Sequence, residues 1–232
     1  SGKSTVLLLL KDELLARGVK KEQIISINFE SFSFSHLLTA TKLYQYIKNE
    51  VQSSGKYYLL LDEIQEVEDW EKAVNSFLVD FDMDIYLTGS NSHLLSSELA
   101  TFLAGRYVEI PVYTLSYREF LAFRESYFSD TQNKGNLFLQ YLRKGGFPVI
   151  HTADYPDESA YKVVYDIYSS VILRDTVQRY KIRDVELLER VIKYAFDNIG
   201  NTFSGKNVAD YFKSQQRKVD LNTVYNYLNA LE

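Results

Sequence analysis

The residues with the clearest chemistry stand at the start of the chain. Gly2-Lys3-Ser4-Thr5 leads straight into Val6-Leu7-Leu8-Leu9-Leu10, and it has the form of the tail of the phosphate-binding pattern G-x-x-x-x-G-K-[ST]. In such a loop a glycine lets backbone N–H groups curl around phosphates at the positive end of the following helix. Lys3 would reach the β- and γ-phosphates of ATP, and the Ser4 hydroxyl would be a ligand to Mg2+. A tetrapeptide of this kind also fits a flexible amino terminus, so its meaning depends on what accompanies it.

A second group supplies that company. Leu59-Leu60-Leu61-Asp62-Glu63 is an apolar run closed by two acids, the form of a Walker B strand. Asp62 would hold the Mg2+ shell together with Ser4, and Glu63 would orient and deprotonate the attacking water. The competing reading is that the two acids cap the next helix or sit solvated on a loop. Both motifs fall in the required order, which favours the nucleotide site.

Two further groups extend it. Thr88-Gly89-Ser90-Asn91 ends the next expected strand, where Ser90 or Asn91 would touch the γ-phosphate or the lytic water. The same residues also suit an ordinary turn with a helix N-cap. Arg106 would stabilise charge on the transferring phosphoryl group as an arginine finger. Its plain alternative is a surface arginine paired with Glu98 or Glu109.

These groups need elements to position them. Apolar runs at residues 23–28, 57–61 and 84–88 read as short buried strands, with a further strand near 107–112. Helical spacing covers residues 37–51, 70–81 and 94–103, and Gly18 closes the first helix as a C′ glycine. Continuous apolar strands alternating with helices indicate a parallel sheet covered on both faces, an α/β P-loop NTPase architecture. After Pro111 the pattern changes: Ser116-Tyr117-Arg118-Glu119 fits a capping box, residues 129–135 read as a polar loop, and the remainder is helical with breaks at 145–148 and 198–204. The expected domains are therefore 1–127, a P-loop ATPase domain, and 128–232, a smaller all-α region.

Across the 232 residues, 25% are charged and 46% hydrophobic, ordinary values for a globular chain. The net charge of −5 makes the whole chain no electrostatic glue for nucleic acid. It is unevenly spread, however: residues 161–232 hold eleven Lys/Arg against nine Asp/Glu, a mildly basic third behind an acidic body. The absence of cysteine excludes disulfides and thiolate metal sites. His36, His93 and His151 show no ligand spacing. No apolar run approaches a membrane span and no signal peptide is visible, so the expected compartment is the cytoplasm and no membrane partner is expected.

The carboxyl-terminal stretch carries a separate pattern. Ser204 can cap a helix with Val208, Tyr211 and Phe212 on one face, and Asp220 another with Leu221, Val224, Leu228 and Leu231. With a short polar turn between them, residues 204–231 outline a helix-turn-helix. Asn222, Thr223, Asn226 and Asn229 point outward and could hydrogen-bond base edges of DNA, while Lys213, Arg217 and Lys218 could neutralise phosphates. Pairs of amphipathic helices with solvated polar faces are also commonplace.

Taken together, the chain resembles bacterial and archaeal AAA-type ATPases joined to a C-terminal domain of unknown function. The resemblance rests on Gly2-Lys3-Ser4-Thr5, Leu61-Asp62-Glu63-Ile64-Gln65, Leu87-Thr88-Gly89-Ser90-Asn91-Ser92, Leu103-Ala104-Gly105-Arg106-Tyr107, Leu115-Ser116-Tyr117-Arg118-Glu119-Phe120 and Gly145-Gly146-Phe147-Pro148. It implies ATP and Mg2+ at the positions above, a nucleotide-responsive Arg106, and a winged-helix-like C-terminal segment. It also implies a first glycine and strand ahead of Ser1 and a continuation past Glu232. Such ATPases often form rings with the arginine supplied in trans, and a homo-oligomer and a monomeric switch are both compatible with one chain. The expected function is Mg2+-dependent ATP binding and hydrolysis, coupled to a helix-turn-helix that contacts DNA or protein. The alternatives are a non-hydrolysing, ATP-switched DNA-binding regulator and a protein-interaction scaffold.

Overall fold

Helix α1 (Lys3–Ala16) starts at Gly2, whose φ of 96° lies in the left-handed region, where a side chain would be strained. In the computed structural model, which describes residues 2–89, 105–128, 134–152, 155–170, 176–217 and 219–231, this helix packs against one face of a parallel sheet. Ser90, Asn91, Lys218, Glu98 and the helix expected over 94–103 lie outside the described residues. Gly18 closes α1 as expected, with its own N–H on Leu15 O and the Val19 N–H on Leu14 O, both at 3.0 Å.

The sheet has three described strands in the order β1 (Ile24–Asn28), β2 (Tyr57–Asp62), β3 (Met83–Leu87), all parallel. Parallel neighbours need a crossover element between them. Helix α2 (Ala40–Glu50) connects β1 to β2, and α3 (Trp70–Asp80) connects β2 to β3. Alternation along β2 sorts its side chains into two cores. Leu59 and Leu61 join Ile25 and Ile27 against Leu43 and Ile47 of α2 and Trp70, Val74 and Phe77 of α3. Leu60 and Ile24 join Leu7 and Leu14 of α1 on the other face. Being covered on both sides explains why β2 reads as a continuous apolar run.

The strand expected near 107–112 is not formed. Val108 and Ile110 are 87% and 75% exposed, and Pro111 has no N–H for a ladder; among the described residues no strand pairs with this segment.

The chain divides into two compact units, Ser1–Thr114 and Leu115–Glu232, earlier than the boundary read from the polar loop at 129–135. The cause is aromatic packing. Helix α4 (Tyr117–Tyr127) opens with the expected capping box, Ser116 accepting from Glu119 N and Glu119 from Ser116 N. It sets Tyr117 and Phe120 against Phe138 and Tyr141 of α5 (Lys134–Lys144), which draws α4 into the second unit. There the Leu115 N–H donates to Gly146 O at 2.7 Å and the Tyr141 hydroxyl to Leu115 O at 2.8 Å. A Cβ at Gly146 would lie 2.2 Å from Leu115 O, so only glycine permits this approach.

The rest of the second unit is helical: α6 (Pro148–His151), α7 (Asp157–Tyr168), α8 (Thr176–Arg179), α9 (Val185–Asp197), α10 (Gly205–Ser214) and α11 (Leu221–Leu231). Leu188, Val191, Val208, Phe212 and Val224 form the shared core of the last three. Among the described residues this unit contains no strand, so it shows no wing. No helix among the described residues is long and apolar enough to cross a membrane.

Candidate functional site

Parallel pairing sets the ends of the three strands side by side. Asn28 is registered opposite Asp62, and Leu61 opposite Leu87, so Thr88 stands one step further along, on the other flank of Asp62. All three are polar where their strands leave the apolar core. Asp62 is 7% exposed, and a buried carboxylate needs donors for its lone pairs.

It has them. The Ser4 hydroxyl donates to Asp62 Oδ1 at 3.1 Å across 58 residues of sequence, and the Thr88 hydroxyl donates to the same oxygen. Asn28 Nδ2 donates to Oδ2 at 3.1 Å. The start of α1 is thereby held against the carboxyl end of β2, where the exposed N–H groups of a helix N-terminus favour an anion.

Glu63 follows in the left-handed region at φ 57°, ψ 50°, a conformation that costs a non-glycine residue about 1–2 kcal/mol. Thr88 secures the turn from two sides: its Oγ1 accepts from Glu63 N at 3.3 Å and its carbonyl from Ile64 N at 3.1 Å. The Glu63 carboxylate receives a hydrogen bond from Gln65 Nε2.

The structure therefore gathers Ser4, Asp62 and Glu63, as read from the sequence, with Gly2, Lys3 and Thr5 on the same loop and first helical turn. Asn28 and Thr88 were missed in these roles. The signal lay in the register: a polar residue at the tip of each strand beside Asp62. Arg106 is exposed and donates to Asn75 Oδ1 of α3 at 3.4 Å. Ser90 and Asn91 fall outside the described residues.

The donor set around the Ser4–Asp62 contact is a hydroxyl and a carboxylate, oxygen only, which suits a hard divalent cation. Because the Ser4 proton points to Asp62, the lone pairs of its oxygen stay available.

At the carboxyl end, the expected helix pair is formed. Ser204 caps α10 by accepting from Asn207 N at 3.1 Å, and Val208, Phe212 and Val224 are buried. Lys213, Asn222, Asn226 and Asn229 are exposed and Thr223 half-buried. Arg217 departs from the expectation of a cation facing solvent alone: it bonds Glu186 Oε1 at 3.0 Å, which Arg190 also holds at 2.8 Å. Hydrogen bonds from Arg190 and then Arg217 keep Glu186 below the usual carboxylate range. Lys218 lies outside the described residues.

A family model described as an AAA domain matches residues 1–121, more than half of the chain. The chain belongs to the AAA domain family. This AAA domain is followed by a match to a domain of unknown function (DUF8612) over residues 135–232. The chain is 38% identical to an uncharacterized protein of Haemophilus influenzae over 235 residues, covering all of this chain and 58% of that protein. It is 32% identical to the uncharacterized protein MJ1544 of Methanocaldococcus jannaschii over 216 residues, covering 90% of this chain and 48% of that one. The AAA chain thus spans about half the length of these relatives. No solved structure matches it significantly. Membership in the AAA family, with a small parallel sheet and a helix N-terminus at the strand tips, supports nucleotide binding.

Proposed function

We propose that this AAA protein binds ATP with Mg2+ and hydrolyses it. The observation that carries the reading is the 3.1 Å hydrogen bond from Ser4 to Asp62. It places a hydroxyl with free lone pairs, a carboxylate and the N-terminus of α1 at one point, the combination a metal-bound triphosphate requires.

Gly2 and the first N–H groups of α1, at Lys3, Ser4 and Thr5, would receive the β-phosphate, and the Lys3 ammonium would lie against the β- and γ-phosphates. Ser4 would hold Mg2+ directly, with Asp62 fixing its shell; the ion would supply charge neutralisation between the phosphates. Glu63 would take a proton from the attacking water as the water oxygen bonds to the γ-phosphorus. The bond from phosphorus to the bridging oxygen breaks, and ADP and inorganic phosphate leave. Ser90 or Asn91 is assigned contact with the γ-phosphate or this water. Exposed Arg106 is assigned the arginine-finger role, which a homo-oligomer would supply in trans.

The test is ATP turnover and fluorescent-nucleotide binding in the complete protein, Lys3→Ala and Glu63→Gln. Lys3→Ala should abolish tight binding, and Glu63→Gln should bind normally but turn over at least a hundredfold more slowly, on the order of 3 kcal/mol in the barrier. Tight binding by Lys3→Ala would discredit the phosphate site. Tight nucleotide binding with no turnover in the native protein would favour the ATP-switched regulator.

A second reading concerns the partner of the helix-turn-helix. The exposed amides of Asn222 and Asn226, beside Thr223 and close in sequence to Lys213, Arg217 and Lys218, support DNA as what this segment contacts, with nucleotide state governing that contact.

A further inference from the structure

Glu63, the proposed base, has its side chain held by a residue that has so far been given no role. Gln65, two residues on, directs its side-chain amide at the Glu63 carboxylate. An ionised carboxylate only accepts, so the nitrogen of Gln65 must be the atom facing it.

The platform under Gln65 is rigid. Residues Ile64–Glu66 form a single 3-10 turn, with Ile64 fully buried and Val67 buried just beyond it. Glu66 N bonds Glu63 O at 3.2 Å and Val67 N bonds Ile64 O at 3.0 Å, while Ile64 N is tied to Thr88 O. The backbone of Glu63 is thus fixed from Thr88, just past β3, and its flexible side chain from Gln65. The donor chemistry also suits the task. A lysine or arginine here would form an ion pair and make the carboxylate a poorer proton acceptor, whereas a neutral amide orients it without adding charge.

We propose that Gln65 is a positioning residue for hydrolysis, acting through Glu63: its N–H holds one carboxylate oxygen and so restricts the base to a narrow range of orientations. The inference rests on the assignment of Glu63 as the base. Misplacement of a reacting group by about 1 Å can cost roughly a hundredfold in rate, so loss of this hydrogen bond should appear in kcat and not in nucleotide affinity.

The experiment compares the complete native protein with Gln65→Met, which keeps the length of the side chain and removes the donor, with Glu63→Gln, and with the double variant. The readouts are kcat, KM for ATP, ADP affinity and melting temperature. Gln65→Met should lose at least tenfold in kcat with KM, ADP affinity and melting temperature unchanged, and it should cause no further loss when added to Glu63→Gln, because its effect passes through that carboxylate. A kcat within twofold of native in Gln65→Met, beside a slow Glu63→Gln, would overturn the role of Gln65 and leave the hydrolysis reading standing. Losses that multiply in the double variant would overturn it equally. If Glu63→Gln itself turns over at the native rate, the base assignment fails and the role of Gln65 fails with it.

Discussion

Asn28 donates through Nδ2 to Asp62 Oδ2 at 3.1 Å, while Oδ1 of the same amide accepts the Glu30 N–H at 2.8 Å. The second contact fixes the orientation of the first, since only the carbonyl oxygen can face a backbone donor. The two oxygens of Asp62 are therefore held independently, one by Asn28 and the other by Ser4 and Thr88.

Substituting Asn28 by leucine should weaken Mg2+-dependent nucleotide binding by tenfold or more, the usual loss when a partner of a metal-associated carboxylate is removed. Titration of a fluorescent ADP with and without Mg2+ checks this. The loss should appear only with the metal; an equal loss in EDTA would place the defect in the fold instead.

Gly146→Ala and Gly205→Ala should differ sharply. At Gly146 the new methyl meets the backbone carbonyl of Leu115 at 2.2 Å, whereas at Gly205 it meets the Tyr225 ring at 2.5 Å. A ring on an exposed side chain can swing away; a carbonyl held by Tyr141 cannot without moving the chain. Urea unfolding should show a loss on the order of 3 kcal/mol for Gly146→Ala and a change within about 1 kcal/mol for Gly205→Ala. Equal changes would mean that the Leu115 backbone yields.

The second unit should lose stability on mild acidification. His151 is buried, its ring against Phe120 and its Nε2 at 2.7 Å from Gly145 O. Burial lowers its pKa, the contact with Gly145 opposes this, and Arg124 and Lys144 add to the lowering. The unfolded chain therefore takes up this proton more readily. The stabilisation is complete above the unfolded value of about 6.5 and is lost as pH falls through the folded one. Melting temperatures measured from about pH 7.5 to about pH 5 should fall less steeply in His151→Leu than in the native protein. Parallel slopes would remove His151 from the effect.

If α10 and α11 hold DNA, binding should weaken as salt rises, and Lys213→Ala should lower the log–log salt slope by about 1. Arg217→Ala should change it less, because Glu186 already competes for that guanidinium. Fluorescence anisotropy with duplex DNA across a salt series checks both, and binding indifferent to salt would exclude DNA as the partner.

Much of the site was legible in Gly2-Lys3-Ser4-Thr5 and Leu61-Asp62-Glu63, because residue type and order carry the phosphate chemistry directly. Asn28 and Thr88 were not, because their roles depend on which strand lies beside which and at what register, and no local pattern records that. The strand expected near 107–112 failed for a related reason: an apolar segment marks a stretch able to pair, not the presence of a neighbour. The early division at Thr114 was equally hidden, since the polar run at 129–135 is a local signal while Tyr117 and Phe120 find Phe138 and Tyr141 only in three dimensions. Ser116 and Glu119, by contrast, were readable outright, because a capping box is local.

The alignment of Asn28, Asp62 and Thr88 along one edge makes the length of each strand matter more than the identity of its apolar residues. Exchange of one aliphatic side chain for another within β1, β2 or β3 leaves the three tips abreast. Deleting a single residue from β1 turns its faces over and carries a neighbour such as Phe29 toward the place of the Asn28 amide. Over many generations the interior of this domain can be rewritten one hydrocarbon at a time, while its count of residues from sheet centre to sheet edge is not free to drift.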